Sequence, residues 1–104
     1  MQFISISRRL TERFAGEQFD AHIDAERERV RELYREGVVR SIWSRKDAAG
    51  AVMLLECADG AAAQAAVESL PLARRGMLEV QILPLGAYPA FFPNGMEREN
   101  RKRG

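Results

Sequence analysis

A chain of 104 residues that is 46% apolar and 30% charged is long enough to bury a core of its own and reads as one globular domain. Sixteen basic residues against fifteen acidic ones leave the body of the chain without the positive field that nucleic-acid binding needs, and no apolar run approaches the length that crosses a bilayer. The start, "MQFISISRRL", runs from apolar to basic, the reverse of a secretory leader, so the expectation is a cytoplasmic protein with neither a nucleic-acid nor a membrane partner.

Residues 2–8, "QFISISR", alternate as a strand does, with Ile4 and Ile6 on one face and Phe3, Ser5 and Ser7 on the other. A polar stretch broken by Gly16 leads into a helix expected over about 18–36, which Gly37 ends at a position that favours left-handed backbone. At 100° per residue Phe19, Ile23, Val30 and Leu33 form one apolar stripe of that helix, and Glu26 falls inside it with His22 and Arg29 along its border. An acid on a core-facing line is either a satisfied structural group, paired with Arg27, Arg29 or an arginine of the sheet, or a working one.

"VVRSIWSR" and "AVMLLEC", joined by the turn chemistry of "KDAAG", read as a hairpin. Asp59 caps an alanine-rich helix, "AAAQAAVESL", that Pro71 closes. "MLEVQIL" follows as the fourth strand, stopped by Pro84. The single cysteine, Cys57, has neither a disulfide partner nor the spacing of a metal site and is expected to pack as a small hydrophobe.

The order is βαββαβ, whose natural solution is an α+β, ferredoxin-like fold: a four-stranded antiparallel sheet with both helices on one face. The other face, expected to carry Met77, Glu79 and Phe3, then calls for a partner sheet, and hence a homo-oligomer. Residues 1–85 make the domain. Residues 86–104 make an extended arm with a basic tail, in which Tyr88, Phe91 and Phe92 need a neighbouring subunit or a pocket mouth to cover them.

From Glu26 to about Pro89 the chain resembles the muconolactone isomerase family. The matching pieces are "AERERVRELYREGVVRSIW", in which Arg35, Glu36 and Gly37 lead to Arg40 and Trp43, and "SLPLARRGMLEV", in which Leu70, Pro71 and Leu72 precede Met77, Glu79 and Val80. The resemblance implies a dimeric α+β barrel assembled into a larger homo-oligomer, a small-molecule pocket between helix and sheet, and a 1,3-proton shift on an unsaturated lactone that needs no cofactor and no metal. On that reading Glu26 is the general base, His22 relays or tunes its proton, Arg40 holds the substrate carboxylate, and Trp43 and Tyr88 complete the substrate site. Where the family strand reads Arg, His, Leu, Trp, Arg, this chain has Arg40, Ser41, Ile42, Trp43 and Ser44. That loss of polar contacts leaves two other functions open on the same frame, a cofactor-free monooxygenase-type barrel enzyme and a non-catalytic oligomeric binding protein.

Overall fold

The computed structural model describes residues 1–91 and contains the expected antiparallel sheet, in the order β2-β3-β1-β4. The strands are β1 (Gln2–Arg9), β2 (Val39–Ser44), β3 (Ala51–Glu56) and β4 (Leu78–Leu85). Helices α1 (Gly16–Asp20) and α2 (Ile23–Arg35) connect β1 to β2, and α3 (Gly60–Glu68) and α4 (Pro71–Arg74) connect β3 to β4. The main core lies between sheet and helices: Phe3, Val39, Met53 and Leu55 from the strands meet Leu33 of α2 and Ala63 and Val67 of α3. Alanine at position 63, wholly buried, lets α3 approach the sheet closely. Removing Leu55 from water altogether contributes about 2 kcal/mol, a sizeable share of the stability of a domain this small.

Local chemistry explains the ends of the elements. Gly37 adopts φ +80° immediately after α2, a conformation that side chains with a Cβ resist. Asp59 accepts a hydrogen bond from the Ala62 N–H at 2.8 Å, satisfying a first-turn donor of α3. Cys57 packs partly buried against the main core.

Several sequence expectations are corrected. The helix expected over 18–36 is two helices, divided at Ala21 and His22; the break lets Phe19 turn into a second, smaller core with Leu72 and Met77. Pro71 does not merely close α3 but opens α4 as its first residue, where a missing N–H costs nothing. Pro84 does not stop β4, which continues to Leu85, because an edge strand turns alternate N–H groups to solvent and tolerates proline there. Phe3 and Met77 are not on the uncovered face. Both are buried, at 3% exposure each, Phe3 beneath the helices and Met77 in the smaller core. Strand β1 is apolar on both sides, so alternation alone could not tell which side the helices take.

The uncovered face instead presents Ile4 and Ile6 of β1, Val52 and Leu54 of β3 and Leu83 of β4, as the pairings Ile4 with Leu54 and Leu83, and Ile6 with Val52, require. Glu79 lies on this side as expected, paired across the strands with Arg8 at 3.4 Å. In β2 the register slips between Val39 and Ser41, leaving Arg40 as a bulged residue. Trp43 pairs with Val52 and so also faces outward, 53% exposed.

The hairpin turn is clamped onto β1. The Arg9 N–H donates to the Ala49 carbonyl at 2.7 Å, and the Arg45 guanidinium, ion-paired to Asp47 at 2.7 Å, donates to the Ser7 carbonyl at 3.2 Å. Gly50 sits so close that a Cβ built on it would lie 2.0 Å from the Ser7 carbonyl oxygen, a backbone atom that cannot swing away. Gly50→Ala is therefore expected to lower stability by about 1–3 kcal/mol, the usual cost of overpacking. Urea unfolding followed by far-UV circular dichroism measures it, and an unchanged midpoint would contradict the close approach.

Candidate active site

A cavity of about 400 Å³ opens between α2 and the helix-facing side of the sheet, large enough for a one-ring substrate. Its floor is β1, which presents Ser5, Ser7 and Arg9 in succession because residues two apart share a strand face. Its roof is α2, with Ile23, Glu26, Arg27, Val30 and Arg31 on the facing side. Apolar walls come from Met53 and Ile42 of the hairpin and from Leu70 and Leu72 around the start of α4. Leu33, near the end of α2, packs with Phe3, whereas Glu26, near its start, lies within the field of Arg9, so α2 runs back along β1.

Glu26 is the acid that the helical stripe singled out, and the structure turns it into this cavity. None of the arginines considered as partners pairs with it: Arg29 is bound to Glu32 at 3.0 Å and Glu36 at 3.7 Å. Instead Glu26 Oε1 accepts the backbone N–H of Leu72 at 3.0 Å. That amide belongs to the first turn of α4, where backbone donors have no partner inside the helix. Burial pushes the Glu26 carboxyl above the ordinary carboxylate range, opposed by the Leu72 N–H and by the positive charge of Arg9. A carboxylate so placed is a stronger proton acceptor than one in water.

Arg9 and Arg27 line the same cavity, and neither forms an ion pair with a carboxylate among the described residues. The Arg9 guanidinium lies over the Phe19 ring, 5.4 Å from its centroid, which fixes its position without neutralising it.

The other residues selected from the sequence are not brought together with Glu26 in the single chain. His22 lines a separate groove with Ala25, Pro71, Arg74 and Arg75. Arg40 is exposed at the bulge, and Trp43 is on the opposite side of the sheet. Tyr88, 64% exposed, packs its ring against Phe91 at 5.4 Å beside a single 3₁₀ turn, Pro89–Phe91. Phe92 and the basic segment 98–104 lie outside the described residues. The floor residues Ser5, Ser7 and Arg9 were not anticipated. Their signal is two hydroxyls on the strand face that also carries a buried phenylalanine.

Fold and cavity together define an α+β sheet protein of the ferredoxin-like class with a partly open pocket under α2. The sequence profile described as muconolactone delta-isomerase matches residues 1–90, and the chain belongs to that family. No curated protein matches the sequence. Among solved structures it is similar to a muconolactone isomerase, with a TM-score of 0.72 and 19% identity over 86% of this chain and 93% of that one. It is also similar to the 5-chloro-2-hydroxyhydroquinone dehydrochlorinase of Burkholderia phenoliruptrix AC1100 in complex with 2,5-dihydroxybenzoquinone, with a TM-score of 0.63 and 14% identity over 86% of this chain and 98% of that one.

The influence of Arg9 on Glu26 is measurable. In Arg9→Gln the carboxylate loses a stabilising positive charge, so its pKa is expected to move further up. A ¹³C carboxyl NMR titration of the two proteins reads this directly, and an unmoved or lowered value would remove Arg9 from the site's electrostatics.

Proposed function

We propose that the protein is a small-molecule isomerase that moves a double bond within an unsaturated lactone or related carbonyl compound by proton transfer, with Glu26 as the base. The observation that carries this reading is the half-buried Glu26 carboxyl in the cavity, held by a single backbone donor and, among the described residues, not ion-paired to an arginine. Its free oxygen accepts a proton from a carbon activated by the substrate carbonyl. The electron pair of that C–H bond forms a carbon–carbon double bond as the carbonyl π pair moves onto oxygen. The protonated Glu26 then gives the proton to another carbon of the conjugated system, and the carbonyl re-forms with the double bond shifted. Arg9, which no carboxylate among the described residues pairs, takes the task assigned from the sequence to Arg40 and holds the substrate's own carboxylate. Membership of the muconolactone delta-isomerase family supports this chemistry, and the dehydrochlorinase with its bound dihydroxybenzoquinone shows an oxygenated ring compound on a related fold.

On the same reading the protein is a homo-oligomer whose uncovered sheet faces pack on each other. Ile4, Ile6 and Leu54 and the exposed Trp43 and Leu83 make an apolar surface that a second sheet would remove from water. Tyr88 and Phe91, left outside the fold of one chain, would dock on the neighbour. Leu54→Lys places a charge in that contact and is expected to yield monomers by sedimentation velocity, and an assembly of unchanged size would defeat this part of the reading.

Glu26→Gln keeps the shape of the side chain and an acceptor for Leu72 but removes the base. Turnover of muconolactone is expected to fall by about 100-fold or more. Wild-type kcat/KM is expected to rise with pH through a value above the ordinary carboxylate range, as burial of Glu26 dictates. Stability moves in the opposite sense. A folded-state pKa raised above the unfolded one means that the ionised carboxylate costs stability at neutral pH. That cost disappears as pH falls through the raised value toward the unfolded one, so wild type should gain on Glu26→Gln in acid-titrated thermal melts. Unchanged turnover in the variant would remove Glu26 as the base, and no turnover in wild type would leave the non-catalytic binding protein.

A further inference from the structure

The cavity floor carries a polar group that the proton transfer does not use. Ser5 is 1% exposed, the one polar residue among the buried side chains of the described chain, yet its hydroxyl makes no hydrogen bond to any other group among the described residues. Ser7, two residues on, is different. Its hydroxyl donates to the Ala51 carbonyl at 3.3 Å and accepts the Ala51 N–H at 3.2 Å, tying β1 to the hairpin. Ser5 stands between Met53 and Ile82 of the flanking strands, in surroundings where a structural role would favour an apolar side chain. A hydroxyl that faces a cavity and that no described protein group engages is available to bond a ligand entering that cavity. Among the described residues no buried polar side-chain atom is sealed off without a partner, so the Ser5 oxygen opens onto the cavity that Ser5 lines.

We infer that Ser5 is a substrate-binding residue that hydrogen-bonds a second oxygen function of the substrate, a carbonyl or hydroxyl remote from the carboxylate held by Arg9. This rests on the reading of the cavity as a substrate site anchored by Arg9. The two groups lie on one strand face, their Cα atoms about 13 Å apart at the usual rise per residue, and the arginine side chain shortens the gap to be bridged. Glu26 on α2 lines the same cavity from the opposite side, within the field of Arg9. A substrate held at both ends thus presents its middle carbons to the base. Where the second oxygen is the activating carbonyl, Ser5 donates to the oxygen that gains negative charge as Glu26 removes the proton. The substrate class is accordingly a ring acid that carries an oxo or hydroxyl group at its far end.

Matched pairs of acids test this by isothermal titration calorimetry: 4-hydroxybenzoate against benzoate, and 4-hydroxycinnamate against cinnamate, which differ in length. In wild type the hydroxylated member of at least one pair is expected to bind about fivefold to tenfold more tightly, the worth of one well-made buried hydrogen bond. In Ser5→Ala that preference should vanish while the affinity for the parent acid stays, and Ser5→Thr should keep part of it. Thermal melts confirm that each variant is folded, and Arg9→Gln should weaken all four acids alike. A preference that survives in Ser5→Ala, or is absent in wild type, overturns the assignment to Ser5 and leaves the anion site standing. Failure of all four acids to bind wild type overturns both.

Discussion

The hydrogen bond from the Leu72 amide to Glu26 is the constraint around which this protein is arranged. It joins α2 to the short α4, and it does so with a donor that α4 cannot use itself. Pro71 contributes by occupying the first helical position, where its missing N–H is no loss and its fixed φ starts the turn. The carboxylate thereby gains one fixed contact, and its second oxygen accepts no hydrogen bond among the described residues. Were an arginine in that place, the acid would be a structural ion pair with a lowered pKa; with a neutral amide, desolvation dominates and the group stays basic.

The rest of the site follows from how β1 and α2 divide their residues. Leu33, near the end of α2, closes the sheet against Phe3, and the members that line the cavity, from Ile23 to Arg31, stand nearer the start of the helix. Strand β1 matches this gradient, passing from Phe3 through two serines to Arg9 along one face. Core and cavity are thus one continuous layer that turns polar toward one end. The turn between β2 and β3 secures the floor from the far side, and Gly50 is the residue that lets the two backbones come close enough.

Most of the architecture was legible in the sequence because its signals are local. The alternation in β1, the glycine after α2, the Asp59 cap and the turn at 46–50 each depend on a few neighbouring residues, and each is found where the pattern placed it. What was not legible depends on distant packing. Which side of β1 is covered could not be read from a strand apolar on both sides. The break at Ala21 and His22 follows from the fit of Phe19 against Leu72 and Met77, and the persistence of β4 through Pro84 follows from its place at the sheet edge. In the site, Glu26 was legible because an acid inside an apolar stripe conflicts with its neighbours. Arg9 and Ser5 were not, since a strand end and a small hydroxyl offer no such conflict until the roof above them is known.

The bulged residue in β2 bears on why there is a cavity at all. Counting by twos from the buried Val39, an unbroken strand would turn Ser41 and Trp43 inward. The extra residue at Arg40 inverts that parity, so the indole goes to the outside and Ile42 and Ser44 form the wall in its place. The hollow is therefore a product of strand phase, not of small side chains alone: one misaligned peptide keeps the largest ring of the chain out of the space a substrate would fill.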